Sequence, residues 1–289
     1  MSILIRNTVL SAFVLLSIII SISNAEPIPF TLKRGVPEIE VTINDSIKAS
    51  FIIDTGADHI YIDKSFAEKH GLLSGGKMPM RPTTGVDGKF ESYQIFLRSL
   101  SIGETKQSVV SAVTIDLRAV VKDTSKGLPD GVLGYAFLKN YRPLLNYPES
   151  TINFTPQDSN LYNNHEIFAF PFVLSRHLIV VNVIVNDTLK TKMILDTGAS
   201  FSVWGSKNSD TLSGSYSTAI KKINIGGKIR ITNPDFLNRE IKTIKAALDN
   251  VDFEGILGTS FLKGSRIVID YEKQTLSFLR GLGIRWYSD

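Results

Sequence analysis

The chain has 289 residues, no cysteine and a formal net charge of +4, and 43% of its residues are hydrophobic. The missing cysteine excludes thiol nucleophiles, cysteine-ligated metals and iron–sulfur clusters. Basic and acidic residues alternate without a dense Lys/Arg run, so nucleic acid is not an expected partner.

Residues 1–25 have the three-part pattern of a signal peptide. Arg6 is the only charge before Glu26, and an apolar run at 9–20 leads to small residues that end at Ala25. A spanning helix needs about 20 apolar residues, so this run is too short for one. We expect cleavage after Ala25, a secreted or periplasmic protein and no stable membrane insertion; an uncleaved anchor is the alternative.

The segments that follow are typical of a mostly β protein with few short helices. Residues 39–43 alternate apolar and polar side chains, as a half-buried strand does. Asn and Asp tolerate the backbone geometry of a hairpin turn, and Asp caps helices well. The predicted elements are, in order, a strand at 39–43, a turn at Asn44 and Asp45, a buried strand at 51–53, a strand at 59–62, a helix at 64–70 capped by Asp63, and a short helix at 136–140.

An internal repeat dominates the rest of the chain. Residues 44–57 align with 186–199 without a gap, and 130–139 align with 254–263. The second copy therefore predicts another short helix at 260–264 and a closing strand at 267–269. We expect a first lobe at 26–155, a polar linker at 156–167 and a second lobe at 168–289.

Each copy carries the tripeptide Asp-Thr-Gly, followed by Ala, directly after an apolar strand. If the copies pack about a pseudo-twofold axis, Asp54 lies against Asp196, and the two carboxyl groups share a proton. One aspartate can then activate a water while the other protonates a substrate carbonyl. The threonine hydroxyls are expected to lock the loops together, and the glycines are expected to admit backbone amides and unusual φ angles. The expected supporting residues are Thr55, Gly56, Ala57, Thr197, Gly198 and Ala199. Two structural turns inherited by duplication are the alternative.

With these motifs the chain resembles the pepsin-like and retroviral-like aspartic peptidases, in a tandem single-chain form. Val132-Leu133-Gly134 and Ile256-Leu257-Gly258 are similar to the second hallmark of the family. The resemblance implies an acid-protease fold with two β lobes and a cleft between them. It also implies aspartic endopeptidase activity on peptides or unfolded proteins, with no cofactor.

The resemblance further predicts residues that contact substrate. A flap hairpin is expected around Gly85, Val86, Asp87 and Gly88, although a plain surface hairpin is the alternative. The matching stretch of the second copy is about 19 residues shorter, so a reduced flap is expected there. Asp58 and its counterpart Ser200 differ and should hold a peptide backbone differently.

Other functions stay open at this stage. An exported module that binds peptides or proteins without turnover is one alternative, and a structural β protein is another. The four histidines lack the spacing of metal ligands, so no metal is expected. With both aspartates on one chain, a monomer is sufficient.

Overall fold

A computed structural model describes residues 26–279, except 77, 80–82, 86–87, 122–123, 158–166, 206–214, 218 and 249–250. The predicted signal peptide therefore lies outside the described residues, as do most of the predicted linker and the last ten residues. The described chain is mostly β with a few short helices, which confirms the predicted fold class.

Short strands make up most of the first half. Its elements are β1 (Ile28–Pro29), β2 (Thr31–Lys33), β3 (Val36–Ile43), β4 (Ile47–Ile53), β5 (Ile60–Asp63), α1 (Lys64–Lys69), β6 (Met78–Pro79), β7 (Thr83–Gly85), β8 (Gly88–Phe90), β9 (Tyr93–Ile102), β10 (Thr105–Ile115), a 3₁₀ turn (Leu117–Ala119), β11 (Gly131–Leu133), α2 (Tyr135–Leu138), β12 (Arg142–Asn146) and β13 (Thr151–Thr155).

The second half repeats this plan. Its elements are β14 (Ile167–Pro171), β15 (Val173–Ser175), β16 (Leu178–Val185), β17 (Leu189–Leu195), β18 (Ser202–Gly205), β19 (Lys222–Ile225), β20 (Ile229–Thr232), β21 (Phe236–Arg239), α3 (Lys242–Ala247), β22 (Gly255–Leu257), α4 (Thr259–Leu262), β23 (Arg266–Asp270) and β24 (Thr275–Leu279). Of these, β19 and β20 are shorter than their counterparts β9 and β10.

Each half builds its own sheet. The first sheet has the order β2-β3-β4-β11-β5-β10-β9-β6, and the second has the order β20-β19-β16-β17-β22-β18-β21 with β15 beside β16. In both, the strand that leads into an aspartate lies parallel to the strand of the second hallmark, as β4 beside β11 and β17 beside β22. The two copies therefore share one topology around the predicted site.

A third sheet joins the halves. Its order is β1-β13-β12-β23-β24-β14, so three strands of each half meet at the antiparallel pair β12 and β23. The predicted division at 156–167 stays a prediction, and β14 begins at Ile167, the last residue assigned to the linker.

Local signals in the sequence correspond to local structure. Asn44 and Asp45 both have positive φ, and so do Asn186 and Asp187, as the tight hairpin turns require. Asp63 caps α1 by accepting a hydrogen bond of 3.0 Å from the Phe66 N–H. These turns and this cap confirm the sequence predictions.

The predicted bounds of two helices were wrong. The helices α2 and α4 begin one residue earlier than predicted and end two residues earlier. Gly134 and Gly258 take extended backbone angles immediately before them, so each helix starts directly after its glycine. The sequence predictions also missed the 3₁₀ turn and α3, although Ile241, Ile244 and Leu248 recur at helical spacing around α3 and pack in one apolar cluster.

A continuous apolar core fills the space between the sheets. Phe51, Ile53, Met193 and Leu195, from the strands that precede the aspartates, are fully buried. No helix among the described residues is long and apolar enough to cross a membrane.

Candidate active site

The two Asp-Thr-Gly loops are locked together by their threonines. The Thr55 hydroxyl donates to the Leu195 carbonyl at 2.9 Å and accepts from the Thr197 N–H at 3.0 Å. The Thr197 hydroxyl donates to the Ile53 carbonyl at 2.7 Å and accepts from the Thr55 N–H at 3.0 Å. Both threonines are fully buried, so these four bonds have no water to compete with them.

The lock brings each aspartate against the opposite loop. A Cβ added to Gly56 would lie 2.8 Å from Cγ of Asp196, and one added to Gly198 would collide with the Asp54 carboxyl. Neither glycine has positive φ, so the expectation of unusual φ angles was wrong. Glycine is required here because a side chain would occupy the space of the facing carboxyl group.

Backbone amides reach both carboxyl groups, although unequally. Gly56 N–H donates to Oδ1 of Asp54 at 2.7 Å, and Ala57 N–H lowers the pKa of this carboxyl group to a smaller extent. Oδ1 of Asp196 accepts from Gly198 N–H at 2.8 Å and also from Ala199 N–H at 3.1 Å. Hydrogen bonds to a carboxylate favour its ionised form, so Asp196 has the environment more favourable to charge.

The pKa of both aspartates lies above the ordinary value, and burial is the first cause. The pKa of Asp54 is raised further, because the charge of Asp196 adds to the effect of burial. A hydrogen bond from Asp54 and the two backbone N–H groups oppose the rise at Asp196. Two contacting carboxyl groups titrate as one coupled pair, so a single shared proton is the expected state.

The second hallmark supports each catalytic loop from behind. Leu133 O accepts from Asp54 N–H and Leu257 O accepts from Asp196 N–H, both at 3.0 Å. Gly134 lies so close to the carbonyls of Ala57 and His59 that a Cβ there would collide with them, and Gly258 is equally crowded. These glycines allow the strand to pass directly against the loop.

The residue after each Ala differs between the loops, as the sequence predicted, and so do its contacts. Oδ1 of Asp58 accepts a hydrogen bond of 2.5 Å from the Tyr61 hydroxyl, and Oδ2 is 3.5 Å from Nε2 of His59. Burial, and next the charge of Asp58, raise the pKa of Tyr61. The counterpart Ser200 has no carboxyl group, and the loops share only a main-chain bond here: Ser200 O accepts from Ser260 N–H at 3.1 Å, as Asp58 O accepts from Ala136 N–H at 3.0 Å.

The predicted flap region forms a hairpin. β7 and β8 pair antiparallel, with Gly85 opposite Gly88. Val86 and Asp87 lie outside the described residues, and so do 206–214 and 218 of the stretch in which the second flap was expected to be reduced.

Sequence reasoning missed several contacts of the site. Nε2 of His177 lies 3.1 Å from the Gly56 carbonyl, although 121 residues separate them. Ser202 and Ser260 form a hydroxyl pair beneath the second loop, and the Ser202 hydroxyl accepts from Gly258 N–H at 3.1 Å. Only the alignment of the copies could have singled out such positions, because nothing in the local sequence marks them.

The described residues contain no group of three or more His, Asp or Glu side chains arranged to hold a metal ion.

Comparison with known proteins agrees with this geometry. A model of the aspartyl protease family matches residues 39–137, which include the first catalytic loop and β11. A crystal structure of an aspartic proteinase from Irpex lacteus matches 89% of this chain and 98% of its own, with a TM-score of 0.59 at 13% identity. This chain has the two-lobed fold of the aspartyl proteases.

The predicted resemblance is thereby confirmed for the fold. No curated protein matches the sequence. Because the likeness to the Irpex lacteus proteinase is distant, it establishes the acid-protease fold alone. The family match in the first lobe and this fold together support an aspartic-peptidase type of hydrolase.

Proposed function

We propose that the chain is an aspartic endopeptidase in which a water held between Asp54 and Asp196 attacks the peptide carbonyl. The observation that carries the proposal is the threonine lock, because it holds two half-buried carboxyl groups against each other. A plain pair of structural turns has no need for two carboxyl groups whose pKa values are both raised.

The unequal backbone donors support a division of roles. Asp196, which accepts two N–H bonds, is the better candidate for the ionised member and general base. Asp54 then carries the proton. In the first step Asp196 takes a proton from water, the hydroxide oxygen bonds to the carbonyl carbon, and Asp54 gives its proton to the carbonyl oxygen.

The resulting tetrahedral diol is neutral, and its collapse returns the pair to its starting state. Asp196 donates its proton to the leaving nitrogen while the C–N bond breaks, and Asp54 takes a proton from one hydroxyl. The products are a carboxylic acid and an amine, and no covalent enzyme intermediate forms. The surrounding protein excludes much of the water, which strengthens these transfers.

The test is degradation of an unfolded protein by the full chain between pH 3 and 8. We expect turnover by the wild type and none by Asp54→Asn or Asp196→Asn, with circular dichroism unchanged. Asp252→Asn is the matched control, since that carboxyl lies on the surface beside Lys192. Turnover that survives both active-site substitutions would contradict the proposal.

A second outcome separates the alternative function. If the wild type binds the unfolded protein at every pH without cleaving it, the chain is a peptide-binding module with the same fold. Export of the chain and its action as a monomer stay predictions. N-terminal sequencing of the secreted protein tests the cleavage site. The molar mass from light scattering tests whether the protein is a monomer.

A further inference from the structure

The turn between β15 and β16 reaches across to the first catalytic loop. Arg176 has a φ of 58° in this turn, and the half-buried His177 follows it. Its Nε2 lies 3.1 Å from the carbonyl oxygen of Gly56, which belongs to the other half of the chain. A carbonyl oxygen only accepts, so Nε2 carries the hydrogen and donates to Gly56.

This bond acts on the peptide unit that faces Asp54. The Gly56 carbonyl and the Ala57 N–H belong to one planar peptide group, so fixing the oxygen also fixes the direction of the N–H. That N–H donates to the main-chain carbonyl oxygen of Asp54 at 3.4 Å, and it also lowers the pKa of the Asp54 carboxyl group against the effect of burial. Gly56 N–H bonds to the same carboxyl at 2.7 Å.

The second loop receives no such support. The offset of 142 residues that relates Asp54 to Asp196 also relates Gly35 to His177. Gly35 has a φ of 79°, and a Cβ there would lie 3.0 Å from Cβ of Ser200, so the turn has no room for a side chain. In that loop Ala199 N–H already reaches Oδ1 of Asp196 at 3.1 Å.

We propose that His177 is a positioning residue that orients the Gly56–Ala57 peptide and thereby holds Asp54 in its reactive geometry. The proposal rests on the proposed peptidase function for its kinetic consequence, whereas the hydrogen bond itself is independent of turnover. Misplacing a reacting group by a fraction of an ångström to an ångström costs up to about 100-fold in rate. Loss of this one restraint should therefore lower kcat by about tenfold.

The first experiment observes the bond without using activity. The sequence contains two Gly-Ala pairs, Gly56-Ala57 and Gly198-Ala199. Labelling glycine carbonyls with ¹³C and alanine nitrogens with ¹⁵N in the full chain therefore gives two cross-peaks. We expect His177→Leu to move the Gly56 carbonyl signal and to leave the Gly198 signal in place, and His177→Gln to restore much of the shift. An unmoved Gly56 signal overturns the proposal.

The second experiment measures kcat and KM on a fluorogenic peptide. We expect His177→Leu to lower kcat about tenfold with KM nearly unchanged, and His177→Gln, which keeps an N–H donor, to recover most of it. His70→Leu is the control, because that ring stacks on Phe66 in α1 and is not among the residues of the site.

The remaining outcomes are each decisive. A raised KM with unchanged kcat would make His177 a substrate contact, and a lower melting temperature with unchanged kcat would make it merely structural; both overturn the proposal. If the wild type has no turnover, the peptidase function fails, while the carbonyl signals still decide whether His177 orients the loop.

Discussion

The two catalytic loops share most of their backbone hydrogen bonds but have different side chains around them. The aspartate N–H groups, the threonine locks and the glycines of the second hallmark correspond one for one. Around this frame, Asp58 and Tyr61 in the first lobe stand where the second has Ser200 and Val203. The repeat has therefore kept what the backbone requires, and the side chains have been free to diverge.

The divergence is concentrated where each loop meets the opposite lobe. The first loop takes a hydrogen bond from His177, whereas the second packs directly on Gly35. The two aspartates are unequal for a separate reason: after burial, the charge of Asp196 raises the pKa of Asp54, whereas a hydrogen bond from Asp54 opposes the rise at Asp196.

The largest expected effect is the loss of kcat on substitution of Gly56 or Gly198, which tests whether these two glycines are equivalent. We expect Gly56→Ala and Gly198→Ala each to lower kcat at least about 100-fold, because the new methyl group displaces the facing carboxyl. Gly198→Ala should be the more severe, since its Cβ would lie closer to the carboxyl. Steady-state kinetics check this, with Gly75→Ala as the control, because nothing lies within 4 Å of that position. Equal activity in all three variants would contradict the geometry.

A second comparison concerns two arginines that the repeat aligns, Arg142 and Arg266. Arg142 lies 3.1 Å from Asp270, and both side chains are buried in the sheet that joins the lobes. Arg266 instead reaches the exposed Glu149 at 3.3 Å.

Breaking these pairs should have unequal effects on stability. We expect Asp270→Asn to lower the free energy of unfolding by about 3 kcal/mol, because a buried guanidinium loses its carboxylate. Glu149→Gln should change it by less than about 0.5 kcal/mol, since water screens an exposed pair. Urea denaturation measures both, and equal losses would mean that the two arginines are equivalent after all.

Unlike the two arginine pairs, the two threonines of the lock should contribute equally to stability. Thr55→Val leaves the Leu195 carbonyl and the Thr197 N–H unpaired, and Thr197→Val does the same to Ile53 and Thr55. Each should cost about 2 kcal/mol in the free energy of unfolding. The serine variants keep the hydroxyl and serve as controls. Losses that differ strongly between the two valine variants would show that the lock is unequal.

The smallest effect is the pH dependence of stability. Between the ordinary aspartate pKa of about 3.9 and the raised folded value, the folded state binds more protons than the unfolded state. The free energy of unfolding therefore falls as pH rises through this window. Asparagine at the same position removes that dependence.

Asp54→Asn should accordingly gain stability relative to the wild type as pH rises above about 4, and Asp196→Asn should gain less. Thermal unfolding at a series of pH values measures the difference in stability between each variant and the wild type. Only the change of this difference with pH is compared, because a constant effect of the amide does not depend on pH. A larger gain for Asp196→Asn would reverse the assignment of the proton.

Most local features of the fold could be predicted from the sequence. The Asn-Asp turns, the Asp63 cap and the strand before each aspartate follow from preferences of residues within about one turn of each other. The starts of α2 and α4 were misplaced, because extended glycines set them and the apolar period does not.

The sequence by itself determined the repeat, the paired Asp-Thr-Gly loops and the β-rich class, since these depend on neighbouring residues and on self-similarity. The tertiary structure alone decided which side chains meet across the two lobes. His177 reaches Gly56, and Asp270 meets Arg142. Both contacts join residues more than 100 positions apart, and the packing of two lobes about their shared axis creates them. Local preference carries no information about such distances, so the unequal environments of Asp54 and Asp196 emerge only in the folded chain.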